Sequence, residues 1–178
     1  MGLLSFFNRS KHEKKAIDLY YKIVRVARTP ILYSKYGVAD TVIGRFDLIL
    51  LHCFVVIRRL NKFGDEGIQK SQELFDVMFI DIDRNLREMG VGDTGLGKKV
   101  KSLATAFYGR LGSYENALES KDPKILIESL KRNLYSEITP SDYQLSLVSN
   151  YLKKRIIESE RWSFTDINNA NIFHKSIE

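Results

Sequence analysis

Apolar residues recur in steps of three and four along most of the chain, the period of an α-helix with one buried face. From about His12 to Arg28, Ile17, Tyr20, Val24 and Ala27 share one face while Asp18, Lys22, Arg25 and Arg28 share another, and Pro30 marks the end. After a turn-rich stretch through Gly37, Asp40 is a candidate N-cap for a helix to about Lys62. That segment is apolar on nearly every side, which places it at the buried centre. A third helix is expected from Asp65 to Met89, striped by Leu74, Met78, Ile82, Leu86 and Met89 and stopped by Gly90. A fourth follows a glycine-rich turn and carries Leu96, Val100, Leu103, Phe107, Leu111, Tyr114 and Leu118 along one stripe. Gly109 and Gly112 lie inside it at up to about 1 kcal/mol each against alanine, which suggests a neighbour's backbone approaching closely there. Asp122-Pro123 starts a helix to about Tyr135, and Thr139-Pro140-Ser141-Asp142 opens another to about Ser159, with a short helix to follow. No run alternates with period two, so the predicted fold is all-α, a single-domain bundle of about six to eight helices. Residues 1–11 are expected to be a flexible segment ahead of a helical domain at 12–178.

Composition narrows the function more than the fold. A chain of 178 residues can bury one core without disulfides or metal. The lone Cys53 sits in the apolar run Leu50-Leu51-His52-Cys53-Phe54-Val55, so it reads as helix core in a reducing compartment. The formal net charge of +6 invites a nucleic-acid reading, yet the short basic runs at Lys98-Lys99-Val100-Lys101 and Lys153-Lys154-Arg155 come with no recognition-helix or zinc-finger pattern. They are read as solvated helix faces, leaving a mild attraction to polyanions and no specific nucleic acid. The longest apolar stretch, Leu48 to Ile57, falls well short of the ~20 residues that span a bilayer. The opening residues match neither a signal peptide nor a myristoylation signal, although Leu3, Leu4, Phe6 and Phe7 beside Arg9, Lys11, Lys14 and Lys15 are suited to touching a membrane surface.

Three features tempt a chemical reading. Gly92 to Lys99 approaches a phosphate-binding loop, but Lys99 stands where Ser or Thr would hold magnesium, and a helix precedes it. The overlapping Gly90-Val91-Gly92-Asp93-Thr94-Gly95 fails as a dinucleotide fingerprint for the same reason, so a tight interhelical turn with outward lysines is expected instead. His52 lies seven residues from both Arg45 and Arg59 on the central helix, an ionisable stripe whose expected partners are carboxylates of the acidic third helix. The three histidines, His12, His52 and His174, are not spaced for zinc, and no nucleophile motif accompanies them. No catalytic, cofactor or metal residue is nominated, and the chain is not expected to be an enzyme. Ile80 falls among Glu73, Asp76, Asp83, Arg84 and Arg87 on a polar face, where Ile80→Asp is expected to leave the fold intact and weaken client binding.

In the central helices the residues themselves become recognisable. Gly37 to Leu48, continuing through Leu51-His52-Cys53-Phe54 to Arg58-Arg59-Leu60, resembles the ubiquinol-cytochrome c chaperone family. So do Gln72 to Phe79, Asp83 to Asp93, Lys98-Lys99-Val100-Lys101 and Ala106-Phe107-Tyr108-Gly109-Arg110, in order across roughly Leu19 to Tyr135. The resemblance implies an all-helical assembly chaperone that binds newly made cytochrome b during biogenesis of the cytochrome bc complex, respiratory complex III. It also implies a small helical partner protein and the ribosome as further contacts, both properties of mitochondrial relatives. Arg45, Asp47, His52, Asp76, Arg84, Arg87, Asp93, Lys98, Tyr108 and Arg110 are the residues it nominates for client or partner contact, beside Ile80 from the pattern above. The opening is short and not arginine-rich, unlike an import extension, so the expected setting is a bacterial cytoplasm, peripheral to the inner membrane. The alternative is a general helical adaptor or a binder of membrane surfaces and polyanions.

Overall fold

In a computed structural model, which describes the backbone of residues 3–174 and the side chains from Glu13 to His174, the chain forms eight α-helices and no strand among the described residues. α1 (Leu3–Ala27) begins well before the expected start near His12, and the side chains of the apolar opening lie outside the described residues. A single turn that periodicity did not foresee, α2 (Ile31–Ser34), follows Pro30. α3 (Val42–Leu60) is the centre of the molecule: thirteen of its nineteen residues are buried, and it packs against α1 and against every later helix. Its cap is Thr41, whose hydroxyl accepts from the Gly44 N–H at 3.1 Å, because Asp40 is taken up by Arg45.

A 3-10 turn at Asn61–Phe63 and Gly64, at φ 65°, lead into α4 (Gly64–Glu88). Gly67 lies so near the end of α3 that a Cβ there would stand 1.8 Å from the Leu60 carbonyl oxygen. Gly90, at φ 83°, closes α4 as its pattern predicts: its N–H bonds to Arg87 and that of Val91 to Leu86, the paired bonds of a Schellman stop. α5 (Asp93–Glu119) starts at once, so Asp93 to Lys99 form its first two turns rather than a phosphate loop, with Lys98 and Lys99 in solvent. Of the glycines from Gly90 to Gly97, Gly90 alone takes a positive φ.

The close approach expected at Gly109 and Gly112 is absent, for nothing lies within 4 Å of a Cβ at either position. It occurs instead at Gly67 and at Gly44, where a Cβ would meet the Ala39 carbonyl oxygen at 2.0 Å. Asp122 caps α6 (Pro123–Leu134) through the Lys124 N–H, and capping boxes at Ser141 and Ser163 start α7 (Asp142–Ser159) and α8 (Phe164–Asn168). The residues after α8 fold back as Ile172 and Phe173 pack into the core beside Trp162.

Candidate functional site

Between α1, α3, α4 and α5 the bundle leaves a groove of about 540 Å³. Its floor is apolar, made by Phe46 and Ile49 of α3, Met78, Ile82 and Leu86 of α4, and Leu103 of α5. The lip is apolar as well. Val42 and Ile43, in the first turn of α3, are 64% and 48% exposed, and Met89, at the end of α4, is 54% exposed. Single exposed apolar residues are ordinary, but three around one concavity form a surface prepared to be covered.

Polar groups stand at fixed places in this apolar setting. Tyr20 O–H donates to Asp81 Oδ2 at 2.8 Å, tying α1 to α4, and the Asn85 amide donates to the Asp81 carbonyl at 2.6 Å. Burial, followed by the Asp81 carboxylate, pushes the Tyr20 phenol well above its ordinary pKa, so it remains a neutral donor. Arg28, Arg45 and Lys99 form the rim. Arg45 Nε lies 2.6 Å from Asp40 Oδ1, and this hydrogen bond holds the Asp40 carboxyl below its usual range.

The residues nominated from the sequence do not converge on one site. Of them, Arg45 alone lines the groove. Asp47 and Arg110 meet inside the bundle, with Arg110 Nη2 2.8 Å from Asp47 Oδ1, a contact whose geometry gives neither carboxylate oxygen a directed hydrogen bond. Burial pushes the Asp47 carboxyl up to about 6 against the opposing charge of Arg110. His52 is sealed in the core: its Nδ1–H donates to the Leu48 carbonyl at 2.7 Å, so Nε2 accepts from Tyr151 O–H at 2.5 Å. Burial drives its pKa down to about 4.

The stripe Arg45, His52, Arg59 therefore does not pair with the carboxylates of α4 as expected. Arg45 turns to Asp40, His52 to Tyr151, and Arg59 donates to the Trp162 carbonyl at 2.9 and 2.7 Å, because the core-facing partners are supplied by α7 and the chain after it. Asp76, Ile80 and Arg84 stand exposed outside the groove, Asp76 accepting from Gln72 and Arg84 pairing with Glu88. Arg87 bridges Asp83 at 2.9 Å and Asp93 at 2.7 Å across the turn between α4 and α5. Tyr108 is exposed and stacks on Phe75 with ring centroids 5.3 Å apart.

Sequence reasoning missed Arg28, Val42, Ile43 and Met89 as site residues. The available signal was an apolar pair directly after a helix cap. Among the described residues, no group of three His, Cys, Asp or Glu side chains is placed to hold a metal ion, and no helix is long and apolar enough to cross a membrane.

The described residues thus form an all-helical domain whose surface carries an apolar groove with a cationic rim. The chain belongs to the ubiquinol-cytochrome C chaperone family, whose model matches residues 34–175. It is 23% identical over 150 residues to ubiquinol-cytochrome-c reductase complex assembly factor 1 of Xenopus laevis, covering 84% of this chain and 74% of the relative. Against the Homo sapiens protein of the same name it is 24% identical over 158 residues, covering 88% of this chain and 52% of the relative, so it spans about half the length of that protein. In three dimensions it is similar to the crystal structure of the Cbp3 homolog from Brucella abortus, with a TM-score of 0.83 at 29% identity, covering 98% of this chain and 97% of that one.

Proposed function

We propose that this chain holds newly made cytochrome b before it enters the ubiquinol-cytochrome c reductase complex, with an apolar helix of the client lying in the groove between α1, α3, α4 and α5. The observation that carries the reading is the exposed lip of Val42, Ile43 and Met89 above an apolar floor. A multispanning membrane subunit exposes apolar helix faces before it is fully packed, and such faces aggregate unless covered. An amphipathic groove covers them by burial alone, with no bond made or broken. The chain then works by binding, peripherally at the cytoplasmic face of a bacterial inner membrane. A small helical partner fits the outer surface of α4 and α5, where Ile80 and Tyr108 are exposed.

The test is affinity capture of the tagged chain from membranes synthesising cytochrome b, with quantification of that subunit. Ile43→Asp combined with Met89→Asp is expected to remove most of the recovered cytochrome b at unchanged thermal stability, whereas Ile80→Asp, at a position that the sequence pattern marks for client contact but that lies outside the groove, retains it. Recovery of unrelated proteins with no enrichment of cytochrome b overturns the reading.

A further inference from the structure

We infer that the groove, on the reading proposed above, selects an apolar helix carrying a carboxylate beside its apolar face and rejects one flanked by lysine or arginine. Arg45 is matched by Asp40, Arg58 by Glu115, Arg84 by Glu88, and Arg87 by Asp83 and Asp93. Arg28 and Lys99, from α1's C-terminal end and α5, both line the groove and are exposed, and neither has a carboxylate within ion-pair distance among the described residues. The groove's own carboxylate, Asp81, accepts a hydrogen bond from the neutral Tyr20 hydroxyl and offsets one of these two cations. With Arg45 matched by Asp40, the mouth keeps an excess of positive charge above an apolar floor.

An occupant that satisfies both is an apolar helix with an acidic flank. The same arrangement discriminates by repulsion. Membrane-spanning helices characteristically carry lysine and arginine at their cytoplasmic ends, and these meet Arg28 and Lys99 as like charges. A rim that excludes the common case lets an apolar clamp be selective, which burial alone cannot achieve.

The experiment uses the full chain and fluorescent leucine-alanine helices of about 20 residues in a neutral detergent, flanked by glutamate, glutamine or lysine pairs. Anisotropy is expected to rank them glutamate, glutamine, lysine, with roughly a tenfold spread in Kd that shrinks as salt is raised. Arg28→Glu with Lys99→Glu, both at exposed positions, is expected to invert the order. Equal affinity for the three helices, or an order unchanged in the double variant, overturns this inference while leaving the groove an apolar clamp. Failure to bind any of them removes the groove from the proposed function as well. Should the double variant lose flotation with phosphatidylglycerol vesicles and keep the peptide order, the two cations serve a lipid surface and the inference falls.

Discussion

Around His52 the central helix is closed on every side: Tyr151 caps the imidazole, Phe173 meets its ring edge to face at 5.6 Å, and Leu50, Leu51 and Cys53 have no more than 1% of their surface exposed. Two to three turns earlier the same helix is open, and Val42 and Ile43 look outward over the groove. The first neighbourhood has its polar atoms paired and its apolar atoms dry, which is where stability comes from. The second leaves apolar area in water, which contributes nothing to folding and becomes favourable when a partner covers it. One helix thus separates the two tasks along its length, and substitutions at its two ends should fall into different experimental classes.

The largest expected effect tests that separation directly. Leu51→Ala is expected to lower unfolding free energy by about 3–5 kcal/mol, because it removes buried methyl groups from a site too tightly packed to collapse. Ile43→Ser is expected to stay within about 0.5 kcal/mol. Urea unfolding of both measures the contrast. A cost of several kcal/mol at Ile43 would mean that the lip is core and the groove is not a free surface.

Next come two pH profiles of opposite sign. His52 has its pKa lowered from 6.5 to about 4, mainly by burial. The unfolded chain then binds the proton more tightly, so this group's contribution is whole above pH 6.5 and is lost as pH falls toward 4. His52→Gln should remove roughly 3 kcal/mol of that dependence. Asp47 runs the other way, raised from 3.8 to about 6 by burial against the Arg110 charge. Its contribution is whole below 3.8 and is lost as pH rises to about 6. Relative to the parent, Asp47→Asn should gain roughly 2–3 kcal/mol across that window, on top of a constant penalty for leaving Arg110 without its partner. Between pH 4 and 6 the two groups oppose each other, so the parent's own profile understates both. Chemical denaturation at several pH values separates them, and parallel slopes for the two variants would contradict the assigned burial.

How much of this is legible in the sequence depends on whether the determining physics is local. Asp122-Pro123, Ser141 with Gln144, and Gly90 act within a turn or two of themselves, and the helices they bound were predicted closely. α2 is one turn long and too short for periodicity to register. The choice of Thr41 over Asp40 as cap was settled by Arg45, five residues away from the aspartate it binds. Partner identity was out of reach: a stripe of Arg45, His52 and Arg59 announces that counter-groups exist without saying that α7 and Trp162 supply them. The residues that close over His52 lie beyond Tyr135, where the resemblance faded although the family match continues to residue 175. The groove lip was hidden differently. Val42 and Ile43 look like core in a sequence because they continue an apolar helix, and only the placement of α1, α4 and α5 leaves that first turn uncovered.

The smallest expected effect probes the opposite error, at the glycines of α5. The sequence pattern points to close backbone contact at Gly109 and Gly112, which would make any side chain there destabilising. The structure leaves open space beyond both, and both have helical neighbours on either side. A methyl group then meets nothing, while the unfolded chain loses conformational freedom, so Gly109→Ala and Gly112→Ala should each raise stability by about 0.5–1 kcal/mol. At Gly67 the same change drives a Cβ toward the Leu60 carbonyl oxygen and should destabilise. Thermal unfolding of the three variants gives the signs. If alanine at position 109 or 112 weakened the isolated chain, the outer face of α5 would be packed in solution, and the surface assigned to a helical partner near Tyr108 would already be occupied.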